Sequence, residues 1–352
     1  MQADVVTGSQ TIETTLAGAG DRAAWQAFVA RAEGAELGHR WEFFDFLEKT
    51  FGLGVQPLVA RRDGAIAGVL PLVLQASFLG KFLTSVPYLN YAGVLAPDPA
   101  VRLALAEEAV RLADRLGADR LEIRGRHGSD LPLPVSTAKA CYVLDLPATS
   151  EELFKAVGTK LRTRIRRPQK NGYEPVTFHE GGFRELYPVL ARRWHELGSP
   201  VIPQAFFENF EAAFGRDITY VGVRKDGATV ACGLLLRVGD RIEIPWAASR
   251  GEHDSQGVNM LMYWHAFETS IGAGAKQFDF GRSTPGSGTA DFKLQWGSAE
   301  VPLEWNVRAK GAKGTSTEGG DSRCGMMAAA WRKLPHALTL RLGPFLAARI
   351  PY

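Results

Sequence analysis

Apolar positions in this chain repeat at two spacings, and each change of spacing marks an element. After a leading arm over residues 1–20, with a strand near Thr11–Thr15, Trp25, Phe28 and Val29 share one face of a helix. Asp21 can cap that helix, which runs to about Glu33. Phe43, Phe44 and Leu47 define a second helix over Trp41–Phe51, ended by Gly52 and Gly54. The period then shortens to two. Strands are predicted over Gln56–Arg61 and Ile66–Leu74, because Asp63-Gly64 between apolar runs favours a tight hairpin. A strand over Val86–Val94 follows, with Asn90 and Tyr91 at a polar, aromatic mouth, then a helix over Pro99–Leu116 and a strand over Arg120–Arg124.

The same order then recurs. Strands are expected over Ile218–Arg224, Thr229–Arg237 and Arg241–Ala247, a helix over Gln256–Gly272 and a strand over Gln277–Phe280. The text itself repeats: ARRDGAIAG (Ala60–Gly68) against VRKDGATVACG (Val223–Gly233), and LGADRLEIR (Leu116–Arg124) against AGAKQFDFG (Ala273–Gly281). This is an internal duplication with a period of roughly 160 residues.

Between the copies, Leu153, Val157, Leu161 and Ile165 recur every four residues as the inward face of one helix opened by Ser150. Lys160, Arg164 and Arg167 line one flank, Arg162 and Arg166 the other, and no acid offsets them before Pro168 and Asn171-Gly172 stop the helix. Two readings stand for this flank: a solvated basic face, or a surface that grips phosphate through arginine forks. Helices over Glu185–Leu197 and Gln204–Phe214 follow, with Phe206, Phe207, Phe210 and Phe214 in the core. Ala309–Gly325 has the composition of a flexible linker, and the tail from Met326 is apolar with interspersed Arg341 and Arg349. That tail can dock on the body or lie at a membrane surface, docking being favoured. The expected division is a first domain over 1–149, a second over 150–306, a linker over 307–325 and a helical tail over 326–352.

Composition narrows the function. A chain of 352 residues, 45% hydrophobic and 22% charged, is an ordinary globular protein long enough for two domains. A net charge of +3 does not imply bulk polyanion binding, so any anion site must come from local clustering, and DNA is not an expected partner. Cys141, Cys232 and Cys324 are scattered, which fits a reducing compartment and excludes a cysteine zinc cluster; no metal is expected. With no secretory leader or long apolar span, the expected location is the cytoplasm, with contact to the inner face of the membrane. Phosphate loops, nucleophile elbows and paired-histidine zinc motifs do not occur.

Candidate chemistry concentrates in KQFDFGRSTPGSGTADFKLQW (Lys276–Trp296), where a strand end, a Gly-Ser-Pro loop and the run Asp291-Phe292-Lys293 adjoin. An acid and a base at the two ends of a glycine loop beside a strand end form an arrangement in which α/β proteins place chemistry. Asp279 and Asp291 are the candidate general bases.

The element order, with YLNYAGV (Tyr88–Val94), KLRTRIRRPQKNGY (Lys160–Tyr173), RWHELGSPVIPQAFF (Arg193–Phe207), FDFGRS (Phe278–Ser283) and DFKLQWG (Asp291–Gly297), resembles the FemABX-type peptidyltransferases. Within these it is similar to the FemAB-like proteins associated with PEP-CTERM/exosortase systems; WRKLP and RLGP in the tail belong to the same likeness. The resemblance implies an α+β fold of two tandem GNAT-like domains, mixed and mainly antiparallel sheets flanked by helices, with a cleft between them. It implies acyl or aminoacyl transfer to an amine or hydroxyl of a small-molecule or lipid-linked envelope precursor or an exopolysaccharide-linked acceptor. The donor is acyl-CoA or aminoacyl-tRNA, and no cofactor is required. Phe292 and Lys293 match the family's active-site Phe-Lys pair, Lys293 stabilising an oxyanion or holding donor phosphate. Arg282 and the Lys160/Arg164/Arg167 flank also serve phosphate binding, as do Gln256 and Gly257 at a helix N-terminus. One departure is visible: Asp254–Asn259 carries one glycine where CoA-binding GNATs carry more.

Overall fold

The computed structural model describes residues 11–77, 80–126, 130–310 and 322–348. The first half begins with β1 (Ile12–Leu16), α1 (Arg22–Val29) and α2 (Trp41–Phe51). It continues through β2 (Gly54–Val55), β3 (Leu58–Arg62), β4 (Ala65–Leu70), β5 (Val73–Ser77), β6 (Gly80–Thr84), α3 (Pro99–Leu116) and β7 (Arg120–Ile123). After β8 (Val135–Ser136) and β9 (Ala140–Asp145) come the helices α4 (Ser150–Ala156) and α5 (Thr159–Lys170). The second half runs β10 (Glu174–Phe178), α6 (Phe183–Leu197), α7 (Gln204–Phe214), β11 (Ile218–Lys225), β12 (Ala228–Val238) and β13 (Arg241–Ser249). Next are α8 (Val258–Gly272), β14 (Gln277–Ser283), α9 (Gly288–Leu294), β15 (Ala299–Pro302) and β16 (Trp305–Ala309); α10 (Ser322–Lys333) and α11 (His336–Ala347) close the chain.

The duplication is visible in the sheets. In each half a hairpin leads to a strand that pairs in parallel, over three residues only, with the strand after the next helix. Phe82–Thr84 lie against Arg120–Glu122 in the first half, and Arg241–Glu243 against Gln277–Asp279 in the second. The halves also exchange strands across the boundary expected at 149/150. β9 joins the seven-stranded sheet of the second half, between β14 and β15, and β16 returns to pair with β7 in the first. A shared aromatic core locks the join: the ring of Phe46 on α2 lies 5.0 Å from Phe206 and 5.3 Å from Phe210 on α7.

Local chemistry explains where the chain departs from its pattern. α3 forms as expected, with Pro99 at its first turn, Asp98 accepting the Ala100 N–H at 2.7 Å and Gly117 left-handed at its end. The first helix stops at Val29, short of Glu33, and Asp21 does not cap it: its carboxylate takes the Gly18 N–H and the Arg61 guanidinium. The long strand expected to Leu74 breaks into β4 and β5 at Pro71-Leu72, where proline offers no N–H to a ladder. Val86–Val94 is irregular and almost wholly buried, because the Arg124 guanidinium satisfies the carbonyls of Val86 (3.0 Å) and Leu89 (3.1 Å) in place of a neighbouring strand. The basic helix is two helices: Thr149, not Ser150, caps α4, and the chain turns extended at Val157. Arg162 then caps the end of α4 through the carbonyls of Phe154, Lys155 and Val157. Residues 307–309, expected as linker, lie in β16; residues 311–321 lie outside the described residues. The tail docks on the body, where Thr339 on α11 bonds His195 on α6 at 3.1 Å and α10 meets Gly198 through Ala328.

Candidate functional site

The last parallel rung between β13 and β14 sets Glu243 beside Asp279, two carboxylates on one face of the sheet. Beyond it the parallel ladder ends, and the irregular Val86–Val94 segment of the first half fills the junction. From that segment the Tyr91 hydroxyl donates to Asp279 Oδ2 at 2.8 Å, and the Gly281 N–H donates to Asp279 Oδ1 at 2.8 Å. Asp279 is fully buried. Burial and the Asp279 charge push the Tyr91 hydroxyl far above its ordinary range, so it stays a donor. Arg241 binds Glu243 and reaches across to Glu36 of the first half at 2.6 Å. Three buried carboxylates, Glu36, Glu243 and Asp279, therefore surround one buried guanidinium, with Arg126 3.9 Å from Glu36. Burial raises the first two, Glu243 to about 7.

Glu36 also faces outward. It lines a cavity of about 1260 Å³ together with His39, Gly93, Arg126 and Asp240. His39 accepts the Glu36 N–H at Nδ1, and its Nε2 lies 2.9 Å from the Gly93 carbonyl. Burial lowers this imidazole to about 4, so it is neutral and donates from Nε2.

Lys293 belongs to the same junction. Its ammonium donates to the carbonyls of Gly281 (2.8 Å) and Arg282 (3.1 Å) and lies 5.4 Å from the centre of the Tyr142 ring. Only 7% exposed, it does not stand in an open cleft as expected; α9, capped by Ser287, carries it under the end of β14. Burial lowers it to about 8. Arg282 lies over Trp305 at 5.3 Å, and burial, aided by Arg124, lowers it to about 10. Asn90 presents its amide 3.6 Å from where a side chain on Gly281 would begin.

The remaining candidates gather elsewhere. Gly257, left-handed at φ +85°, starts α8 with no side-chain cap, so the first amides of that helix are unclaimed by a neighbouring side chain. α5 passes beside it: the Arg164 carbonyl lies 3.3 Å from the position a Gly257 Cβ would take, and Asn171 bonds Gln256 at 3.0 Å. Lys160, Arg164 and Arg167 are exposed along this helix, with Arg164 held by Gln295 at 2.9 Å. Phe292 packs against Tyr263 of α8, centroids 5.0 Å apart, and Tyr263 in turn stacks on Phe280. Asp291 is exposed in the first turn of α9.

The structure thus brings Asn90, Tyr91, Asp279, Arg282 and Lys293 together around Gly281, and sets Gln256 and Gly257 at the start of α8 against the backbone of Arg164, while Lys160 and Arg167 are exposed on α5. Sequence reasoning missed Glu36, Arg241 and Glu243. A signal for two of them was present: in Arg241-Ile-Glu243-Ile, charges alternate with apolar residues along an expected strand, as they do in Arg120-Leu-Glu122-Ile-Arg124. The repeat pairs Glu122 with Asp279, yet the two differ. Two arginines neutralise Glu122, at 2.6 Å and 2.9 Å, and hold it ionised against its burial; Asp279 has only neutral donors.

Residues 158–294 match the family model of the acetyltransferase (GNAT) domain. No curated protein matches the chain by sequence. Among solved structures it is similar to FemX, at 14% identity and a TM-score of 0.62 over 84% of this chain and 96% of that one. It is also similar to the C-terminal domain of a putative lysylphosphatidylglycerol synthetase from Agrobacterium fabrum, at 13% identity and a TM-score of 0.55 over 89% and 96%. A tandem GNAT protein from the clavulanic acid biosynthesis pathway matches at 14% identity and a TM-score of 0.51 over 85% and 98%. The fold is α+β, two tandem GNAT-like domains with C-terminal helices.

Proposed function

We propose that this chain transfers an acyl or aminoacyl group from a phosphate-bearing carrier to an amine or hydroxyl of a cell-envelope or exopolysaccharide-linked acceptor. The observation that carries the reading is the start of α8, free of a side-chain cap and packed against α5, a helix whose Lys160, Arg164 and Arg167 are exposed: helix amides and guanidinium forks are both donors suited to an anion. The names of two structural neighbours, FemX and a lysylphosphatidylglycerol synthetase, support an envelope acceptor, and the sequence resemblance supports the PEP-CTERM/exosortase setting. In the reaction the acceptor nitrogen or oxygen attacks the acyl carbon, its new bond replaces the bond to the carrier, and its proton passes to a base. Glu36 at the cavity wall and Glu243 behind it are both raised by burial, Glu243 to about 7, which suits a carboxylate to take that proton. Lys293 commits two of its three N–H groups to carbonyls, leaving one for a developing oxyanion.

The match to an acetyltransferase domain favours acyl-CoA as donor; the single glycine before α8 favours aminoacyl-tRNA. Binding of both donors to the purified protein, and to Arg164→Glu and Arg167→Glu, tests the site. One donor should bind, and each reversal should weaken it by about tenfold or more, with a steep loss in salt. Equal affinity in wild type and variants returns the basic flank to solvation, and binding of neither donor makes the chain a non-catalytic GNAT-like module.

A further inference from the structure

α11 is built inside out. An ordinary surface helix turns its large apolar residues to the core. This one buries Thr339, Gly343 and Ala347, its small residues, against the end of α6 and the loop after it. A side chain on Gly343 would begin 2.9 Å from the Val201 backbone, so the close approach depends on that glycine. Three of its five large apolar residues face water instead, Leu340 and Leu346 being half-buried: Leu338 is 40% exposed, Leu342 43% and Phe345 61%, at spacings of four and three that place them on one face. The preceding helix adds Met326 and Met327, 67% and 64% exposed.

Charge decides what covers this face. From Ser322 to the end the chain carries Arg323, Arg332, Lys333, Arg341 and Arg349 and no Asp or Glu, although overall it holds 41 basic and 38 acidic residues. Arg341 is exposed on α11 itself, and Arg332 and Lys333 are exposed at the end of α10, the helix before it. An apolar face flanked only by cations has the composition of an element that lies in an anionic lipid interface. We infer that α10 and α11 dock the protein on anionic phospholipid bilayers, Leu338, Leu342 and Phe345 entering the headgroup boundary and Arg332, Lys333 and Arg341 meeting lipid phosphates. Among the described residues no helix is long and apolar enough to cross a membrane, so the contact is one of surface. The placement bears on the site: His195, which α11 touches, is two residues from Arg193, whose guanidinium lies 3.4 Å from Asp254 in the turn before α8. The inference does not depend on which group the protein transfers.

Co-sedimentation of the full chain with vesicles of phosphatidylcholine alone, or with one third phosphatidylglycerol, tests it. Wild type should bind the anionic vesicles at least about tenfold more tightly than the neutral ones, and about 0.5 M salt should remove most of that preference. Replacing Leu338, Leu342 and Phe345 together by serine should abolish binding to both, with the thermal unfolding midpoint held because the docked face is untouched. Arg332→Gln with Lys333→Gln and Arg341→Gln should remove the preference for anionic lipid alone. No binding of wild type to anionic vesicles, or equal binding by all three proteins, overturns the inference. So does a concentration-dependent dimer that the serine variant abolishes without any vesicle binding, which assigns the face to a second copy.

Discussion

Asp279 and Lys293 hold Gly281 from its two ends: the carboxylate accepts the glycine N–H and the ammonium donates to the glycine carbonyl, each at 2.8 Å. The register explains the need. Asp279 pairs with Val143 and Arg282 with Cys141, so Phe280 and Gly281 together face the single residue Tyr142 across the ladder. This is a β-bulge, and Gly281 takes φ +73° within it. An unpaired bulge would leave a buried N–H and C=O without partners, and the acid and the base supply them.

Gly281→Ala tests the bulge. A left-handed conformation costs an L-residue about 1–2 kcal/mol, and the Asn90 amide stands 3.6 Å from the new methyl. The variant should lose stability on that order in denaturant titration. Gly239→Ala, left-handed with open space around it, should lose about as much, because 3.6 Å is an ordinary contact distance and the cost at Gly281 is the backbone's. A clearly larger loss at Gly281 would show that the bulge has no room for the methyl.

Glu243 gives a pH signature. Burial raises it from 4.5 to about 7, so between those values the folded protein holds a proton that the unfolded chain has released. Its contribution is complete below pH 4.5 and is lost as pH rises to about 7, on the order of 3 kcal/mol. His39 runs the other way: lowered from 6.5 to about 4, it adds stability as pH rises through that window. The difference between wild type and Glu243→Gln removes the contribution of His39, common to both, and reports Glu243 together with the linked change at Glu36. Unfolding free energies from pH 4.5 to 7 should show wild type losing ground steadily to the variant; a constant difference would mean that Glu243 is ionised throughout.

The elements were legible where periodicity and turn chemistry coincide. Asp63-Gly64 and Asp226-Gly227 set two hairpins, and Pro99 with Gly117 bounded α3 to the residue. Val86–Val94 misled because its alternation reports burial, and burial here comes from a guanidinium reaching into the loop, a contact between residues far apart in the chain. The site was half legible for a like reason. Lys293, Asp279 and Tyr91 stand in recognisable local strings, whereas the Glu36–Arg241 pair joins residues on different halves that only the interlocked sheets bring together. What local pattern cannot show is exposure, and that changes the expectation for Lys293.

A lysine in an open cleft can be replaced by alanine at little cost to the fold; Lys293 cannot. Lys293→Ala removes two buried hydrogen bonds and the stem that packs beside Tyr142, so it should cost about 2–4 kcal/mol as well as transfer activity. Lys293→Met keeps most of the volume and should recover part of the stability but none of the charge. The pH dependence then separates support from chemistry. With the ammonium lowered from 10.5 to about 8, the folded protein releases its proton first. Between those values the unfolded chain binds more protons, so stability relative to Lys293→Met should rise with pH. If the charge serves the transfer step, wild-type kcat/KM should fall as pH passes about 8, while the residual activity of Lys293→Met stays flat across the same range. Parallel wild-type and Lys293→Met profiles through pH 8, with activity following the folded fraction, would confine Lys293 to holding the bulge.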